Sequence, residues 1–410
     1  MQEYILDNGL KLLYEYRAGK VTSLCIGFDA GALEEEEKFH LGTAHALEHL
    51  ISKGSKNRSE NQINSELESI FGFENAMTNY PYTIYYGTCL SEDLERAVEL
   101  YSDLLLNPLF STKGFKEEVN VILQEIKEWE DDMYRYCESI LFRNSFKKRR
   151  IRELIVGNKG NIESITLDEI KSFYDNFYFP ENCTICVCSP LDSNFIRDII
   201  NIYFGSWESH LKKCVHQKSL YEDVRTGVFE EIVPSIAGAK IQYIFDIQNL
   251  NDNEFKALLL LNAAFGQGTD SILFNKIRTE NALAYEVGSS IKNERGIKLL
   301  SISMGTSFEN VKKAISITCD TIDKFKCLKG YFTRSKIKAL SKSINLKREI
   351  KFERSIEFCK EVVTSELMQR GCKHGVYLNT YSLDDVQEED IIEVANKIMI
   401  KPSIQILTGN

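Results

Sequence analysis

The chain has 410 residues, of which 43% are hydrophobic, 27% charged and 11% aromatic, with only 6 Pro. That balance excludes a fibrous or largely disordered protein, and the length predicts two or three domains, each able to bury a core. Fifty Lys plus Arg against 60 Asp plus Glu give a net charge of -10, the wrong sign for a nucleic-acid partner or an anionic membrane surface. The 11 Cys are odd in number and without repeating spacing; Cys183, Cys186 and Cys188 fall inside an apolar run, so they read as reduced, buried thiols.

Met1-Gln-Glu-Tyr-Ile-Leu carries neither a basic nor an apolar leader pattern, and the longest apolar stretch, 257–265, is far short of a span of about 20 residues. A soluble, cytoplasmic chain is expected. Tyr4 to Tyr16 alternates around a turn at Asp7-Asn8-Gly9, predicting a hairpin, and Val21 to Ala30 predicts a further strand. Helical periodicity follows from Gly42 through Ser52 and from Ser59 to Ile70, where Ser59 and Gln62 have capping-box spacing. Strands between Phe73 and Leu90 precede amphipathic helices at Glu92–Leu106 and Ser111–Glu130. The basic stretch Phe146-Lys-Lys-Arg-Arg150 reads as a solvated loop. A capped helix from Thr166 to Phe177, a strand at Cys183–Cys188 and a helix at Asn194–Phe204 complete the first half. Residues 206–227 are polar and Lys-rich and form the expected linker. Beyond it the alternation restarts, with strands at Val228–Val233 and Ala239–Asp246, a helix from Asn253 to Phe265, a Gly-containing turn, another helix, and strands from Ala284 to Met304. Strands then helices, twice, indicate an α+β fold in two domains, 1–205 and 228–410.

His45-Ala-Leu-Glu48-His49 lies within the helix starting near Gly42. Imidazoles four residues apart project from one helix face about 6 Å from each other, a spacing suited to one metal ion. Glu48 sits about 100° around the helix from His49, within reach of a water on that ion without being a ligand. A zinc site needs a third protein ligand and an open position. Glu118 and Glu125 are seven apart on one face of the helix that follows, and by pattern alone they are either candidates or a solvated acidic face.

These residues resemble the inverted-zincin metallopeptidases of the pitrilysin, insulinase and mitochondrial processing peptidase group. The order His-x-x-Glu-His matches, and Glu125 follows His49 by 76 positions, close to the family's distance to its ligand Glu. The resemblance implies His45, His49 and Glu125 as ligands of one Zn2+ per chain, Glu48 as general base, and Glu118 as the acid supporting the site. Asn75-Ala76-Met-Thr78 resembles the strand beside the metal, whose edge pairs with extended peptide. Leu273 to Val287 resembles the segment carrying the family's Arg and Tyr, here Arg278 and Tyr285, which the resemblance makes substrate-binding and catalytic through carbonyl and oxyanion contacts. Without it, Arg278 is an ordinary helix-end cation and Tyr285 a strand aromatic.

The resemblance covers nearly the whole chain and implies a half-clamshell of two homologous domains, each a largely antiparallel sheet packed with helices: 1–205 catalytic and 228–410 supplying Arg278 and Tyr285. Family members enclose peptides in four such domains, so a homodimer is implied, or a heterodimer with a related chain. The activity implied is zinc-dependent endoproteolysis. The alternatives are a non-catalytic peptide-binding scaffold and a dedicated maturation protease for one precursor. Three departures stand out: a thinner Gly-containing loop, Phe265-Gly-Gln-Gly268; the basic 147–150 run in place of a usual His-Pro-Leu; and Met133 where Pro often follows the Asp pair.

Overall fold

The structure is a computed structural model that describes residues 1–35, 38–208, 221–234, 236–368 and 383–409. It opens on the expected hairpin, β1 (Gln2–Ile5) antiparallel to β2 (Lys11–Tyr16), with Gly9 left-handed at φ 86 in the turn. There follow β3 (Val21–Phe28), α1 (Thr43–Ile51), α2 (Glu60–Ile70), β4 (Phe71–Thr78), β5 (Thr83–Leu90), α3 (Leu94–Leu106) and α4 (Thr112–Asp131). Next come α5 (Met133–Ser145), α6 (Lys159–Ser164), α7 (Leu167–Phe177), β6 (Cys183–Ser189) and α8 (Ser193–Phe204). The second half carries β7 (Gly227–Ile232), β8 (Ala239–Asp246), α9 (Asp252–Gly266), the single turn α10 (Ile272–Phe274), β9 (Ala284–Glu294), β10 (Ile297–Thr306), α11 (Val311–Phe325), α12 (Arg334–Glu353), α13 (Ser355–Met368), a last helix Glu388–Ile398, and β11 (Ser403–Thr408).

The strands form two sheets with one wiring. In the first the order is β1-β2-β6-β3-β5-β4, and in the second β7-β11-β8-β10-β9. The pair β2–β6 is parallel and the strands after it antiparallel; β7–β11 is likewise parallel, and β11–β8, β8–β10 and β10–β9 antiparallel. With β1 set aside, the second sheet repeats the first strand for strand. The α+β class and the internal repeat are both present, and β4 and β9 are equivalent edges.

Two compact units contain these sheets, and they are not contiguous in sequence. Unit one comprises Met1–Lys127 with the described parts of Leu154–Ser219 and Ile350–Leu378; unit two comprises Glu128–Glu153 with the described parts of Leu220–Glu349 and Asn379–Asn410. The simple division at 1–205 and 228–410 therefore misses an exchange: α5 goes to the second sheet and α13 to the first. The reason is apolar. Ile356, Phe358, Cys359, Val362, Val363 and Leu367 of α13 are buried against Leu13, Cys25, Ile84, Tyr86, Cys186 and Cys188 of the first sheet. Gly27 permits the approach, since a Cβ there would stand 2.4 Å from Val363. In unit two, Cys137 of α5 packs with Ile236 and Leu407, while α9 and the last helix cover the opposite face. Most of the expected linker, 209–220, lies outside the described residues.

The basic 146–150 stretch is not a solvated loop. Arg149 and Arg150 are buried; Arg149 stacks 4.4 Å from the Phe146 ring centroid and 5.3 Å from that of Tyr221. Glu222 Oε1 accepts the backbone N–H groups of Lys147, Lys148 and Arg149 at 2.7, 2.7 and 3.1 Å. A carboxylate satisfying three amides lets the run turn inward, which charge counting alone does not reveal.

Candidate functional site

α1 carries the His45, Glu48 and His49 side chains, and its entry is built without an ordinary cap. Its N-cap, Gly42, is left-handed at φ 96 and offers no side chain. Glu35, fully buried, takes that place, accepting Gly42 N–H at 3.1 Å and Ala44 N–H at 2.9 Å. A negative group at a helix N-terminus satisfies orphan donors and complements the macrodipole. No local spacing signals this cap, because Glu35 lies seven and nine residues before its donors.

The imidazoles of His45 and His49 point to one place, Nε2 to Nε2 3.3 Å. Glu125 from α4 stands opposite, with carboxylate oxygens 3.5 Å from His45 Nε2 and 3.6 Å from His49 Nε2. For a tetrahedral ion with bonds of about 2.1 Å, neighbouring ligand atoms are separated by about 3.4 Å. The His45–His49 separation matches that spacing, each imidazole has one oxygen of Glu125 at nearly the same distance (Oε2 for His45, Oε1 for His49), and one ligand atom from each of the three residues lies within 4.8 Å of the other two, so the donor set fits a mononuclear zinc ion. The orphaned polar atom nearby is His45 Nδ1, buried without a hydrogen-bond partner.

Glu118, one turn-pair before Glu125, accepts from His49 Nδ1 at 2.7 Å, which leaves Nε2 of that ring unprotonated when the imidazole is neutral. Lys53 lies 3.2 Å from Glu118, 3.2 Å from Glu117 and 2.6 Å from Glu60. Burial, with His49 adding to it, lowers the pKa of His45 to about 3, keeping it neutral. For His49 burial acts downward too, but the Glu118 hydrogen bond and the Glu125 charge outweigh it and raise the value. Burial also raises Glu48, against the opposing hydrogen bond from Thr78. Thr78 Oγ1 donates to Glu48 Oε2 at 2.5 Å and so fixes the carboxylate. Thr78, like Glu35 and Lys53, has no role legible in the sequence.

Asn75 and Ala76 lie on β4, the edge strand, in register with Tyr86 and Tyr85 of β5. Asn75 Oδ1 accepts Ala76 N–H at 2.9 Å. Unit one thus brings together His45, Glu48, His49, Glu118 and Glu125.

Arg278 and Tyr285 lie together in unit two. Arg278 sits on a π-helical turn, Asn275–Thr279, that follows α10, a device frequent at functional sites. Its guanidinium stacks 4.6 Å from the Tyr285 ring centroid and donates to the Tyr285 carbonyl at 3.0 Å. The Tyr285 side of β9 faces solvent, 77% exposed. Both residues line a cleft of about 440 Å³ with Tyr134, Phe274 and Glu286. At the loop before them Gly266 is required: a Cβ there would meet Ser289 Oγ at 2.2 Å.

Two α+β units of matched strand order make a two-domain fold with an internal repeat. The sequence comparisons agree. Residues 11–157 match the family described as insulinase (peptidase family M16), and 164–342 match the peptidase M16 inactive domain. The chain belongs to the M16 peptidase family, in its short two-domain form. It is 25% identical over 327 residues to an uncharacterized zinc protease of Bacillus subtilis, spanning 80% of this chain and 78% of that one. It is 29% identical to the beta subunit of the mitochondrial-processing peptidase of Rattus norvegicus, over 52% of this chain and 42% of that one. A solved protease from Helicobacter pylori shares the fold, with a TM-score of 0.88 at 18% identity over 99% of both chains.

Proposed function

We propose that the chain is a zinc-dependent endopeptidase that hydrolyses peptides or short unfolded segments within a chamber formed by a homodimer. The observation that carries this reading is the convergence of His45, His49 and Glu125, with the two Nε2 atoms 3.3 Å apart and an oxygen of Glu125 3.5 Å from one and its other oxygen 3.6 Å from the other, a donor set that suits tetrahedral zinc. Those three residues would hold the ion, which when bound supplies a water of pKa near 7 and polarises a carbonyl. Glu48 accepts the proton of the attacking water and returns it to the leaving amine, and burial brings its pKa nearer to neutral for that task. Thr78 keeps Glu48 in place, and Glu118 keeps the His49 ring turned. The β4 edge at Asn75 and Ala76 pairs with extended substrate through backbone groups, which favours unfolded chains over a particular sequence.

Arg278 binds substrate carbonyls and Tyr285 donates to the developing oxyanion, in this reading at the zinc site of the opposing chain. Two relatives, from Rattus norvegicus and Caenorhabditis elegans, are each named as the beta subunit of the mitochondrial-processing peptidase, and a subunit implies a partner, which supports an assembly of paired chains. The test is mass spectrometry of unstructured peptides incubated with purified protein, with and without a zinc chelator. Internal cleavage that the chelator abolishes is the expected outcome. Absence of both zinc and cleavage would leave the peptide-binding scaffold as the reading.

A further inference from the structure

Three thiols converge in unit one, and the function proposed above uses none of them. Cys186 and Cys188 are two apart on β6, so they share a face, and Cys359 meets them from α13. Their sulfurs lie within 4.8 Å of one another. The residues are 0%, 1% and 0% exposed, and none is in a disulfide. The Cys359 thiol donates to the Ser23 carbonyl at 3.5 Å.

Buried Cys is ordinarily a small hydrophobe, and one on a strand needs no other explanation. Three that meet from a strand and a helix, sulfur to sulfur, form a donor set. With metal–sulfur bonds of about 2.3 Å, a trigonal site separates its sulfurs by about 4 Å, inside the observed spacing. Zinc takes four ligands in a structural site, and among the described residues no fourth donor joins this group. Soft thiolate ligands select copper(I), which three sulfurs can saturate. Two cations stack on rings of the core cluster that contains the thiols. Arg17 lies 5.1 Å from the Phe358 ring centroid and Lys360 lies 4.7 Å from that of Tyr86, and both rings belong to the cluster that contains the thiols.

We propose that Cys186, Cys188 and Cys359 form a trigonal thiolate site for copper(I) that fastens α13 to β6. Binding displaces the three thiol protons to solvent and changes no oxidation state. The test titrates copper(I), without oxygen, into metal-stripped protein in competition with bathocuproine disulfonate, read by the colour of the chelator complex and by the ultraviolet thiolate-to-copper band. Wild type is expected to withhold one equivalent, and so is the His45→Ala, His49→Ala double variant, which separates this site from the imidazole pair. Cys359→Ala and, independently, Cys188→Ala are expected to withhold none, with melting temperatures recorded to establish that each is folded. Failure of wild type to withhold copper, or equal retention by the folded Cys variants, overturns the proposal.

Discussion

Glu118 touches the imidazole that it holds, at 2.7 Å from His49 Nδ1, while Lys53 stands 3.2 Å from its other oxygen. Glu118→Gln should therefore weaken zinc binding by about 10–100-fold, the usual cost of losing an orienting carboxylate, with melting temperature little changed; chelator competition measures it. Glu48→Gln should keep zinc and lose at least about 100-fold in turnover, whereas His49→Ala should lose the metal; full activity in Glu48→Gln would remove the base assignment. A third residue bears on pH. Asp103, 4% exposed, accepts from Ser55, Asn57 and Arg58 at 2.6, 2.5 and 2.8 Å. Burial acts to raise its pKa, but these hydrogen bonds outweigh it and hold the folded-state value below the usual 3.8. A depressed carboxylate stabilises the fold above its unfolded pKa and loses that contribution as pH falls through the folded value. Between pH 6 and pH 3 the melting temperature of wild type should fall more than that of Asp103→Asn. At this scale the sequence reveals the imidazole pair, whose partners share one helix, but not that α4 meets α1. That contact joins residues 69 apart, and spacing along one helix carries no information about which other helix it faces.

The helix that presents the imidazoles depends on a carboxylate outside it. With Glu35→Ala the amides of Gly42 and Ala44 lose their acceptor in a buried setting, at a cost of about 1–3 kcal/mol. The expected result is a lower unfolding midpoint in urea with an unchanged slope, and reduced zinc retention in the same preparation. Two helices are legible from their caps: α2 carries the Ser59–Gln62 box, and Thr166 caps α7. α5 has such a cap in Asp132, but nothing local tells that it packs on the second sheet; α13 is harder to read. Nine residues of α13 are buried, among them Thr364, Ser365 and Glu366, so no polar stripe marks one side of it and helical periodicity fades. The basic run before α6 misleads for a related reason, because the carboxylate that satisfies its amides, Glu222, lies 73 to 75 positions away in the chain.

Reciprocal exchange of α5 and α13 makes the two halves of the sequence interdependent. Five apolar side chains of α13, Ile356, Phe358, Val362, Val363 and Leu367, are buried in the first sheet's core. At about 1.5–3 kcal/mol each, they are comparable with the whole stability of a domain, about 5–15 kcal/mol. A fragment of residues 1–208 should therefore be aggregated or molten when made alone, and should fold when made together with 221–410; solubility and near-ultraviolet circular dichroism measure both. The paired-chain reading has its own test. Mixing His49→Ala chains with Tyr285→Phe chains and allowing exchange should restore about a quarter of wild-type activity, since half of the dimers are mixed and each regains one intact site. No recovery, with exchange verified, would oppose sharing of sites between chains.

Synthesis on the ribosome is vectorial, and the exchange sets a timetable for it. When β6 has emerged the first sheet has all six of its strands, yet the face that includes Leu13, Cys25, Ile84 and Tyr86 waits for a helix ending at Met368. At 5–20 residues per second that interval lasts roughly 10 to 40 s. Throughout it the nascent chain displays a finished, uncovered apolar sheet, the kind of surface that holding chaperones recognise, so the yield of folded protein should depend on their supply more than on the speed of its final folding step.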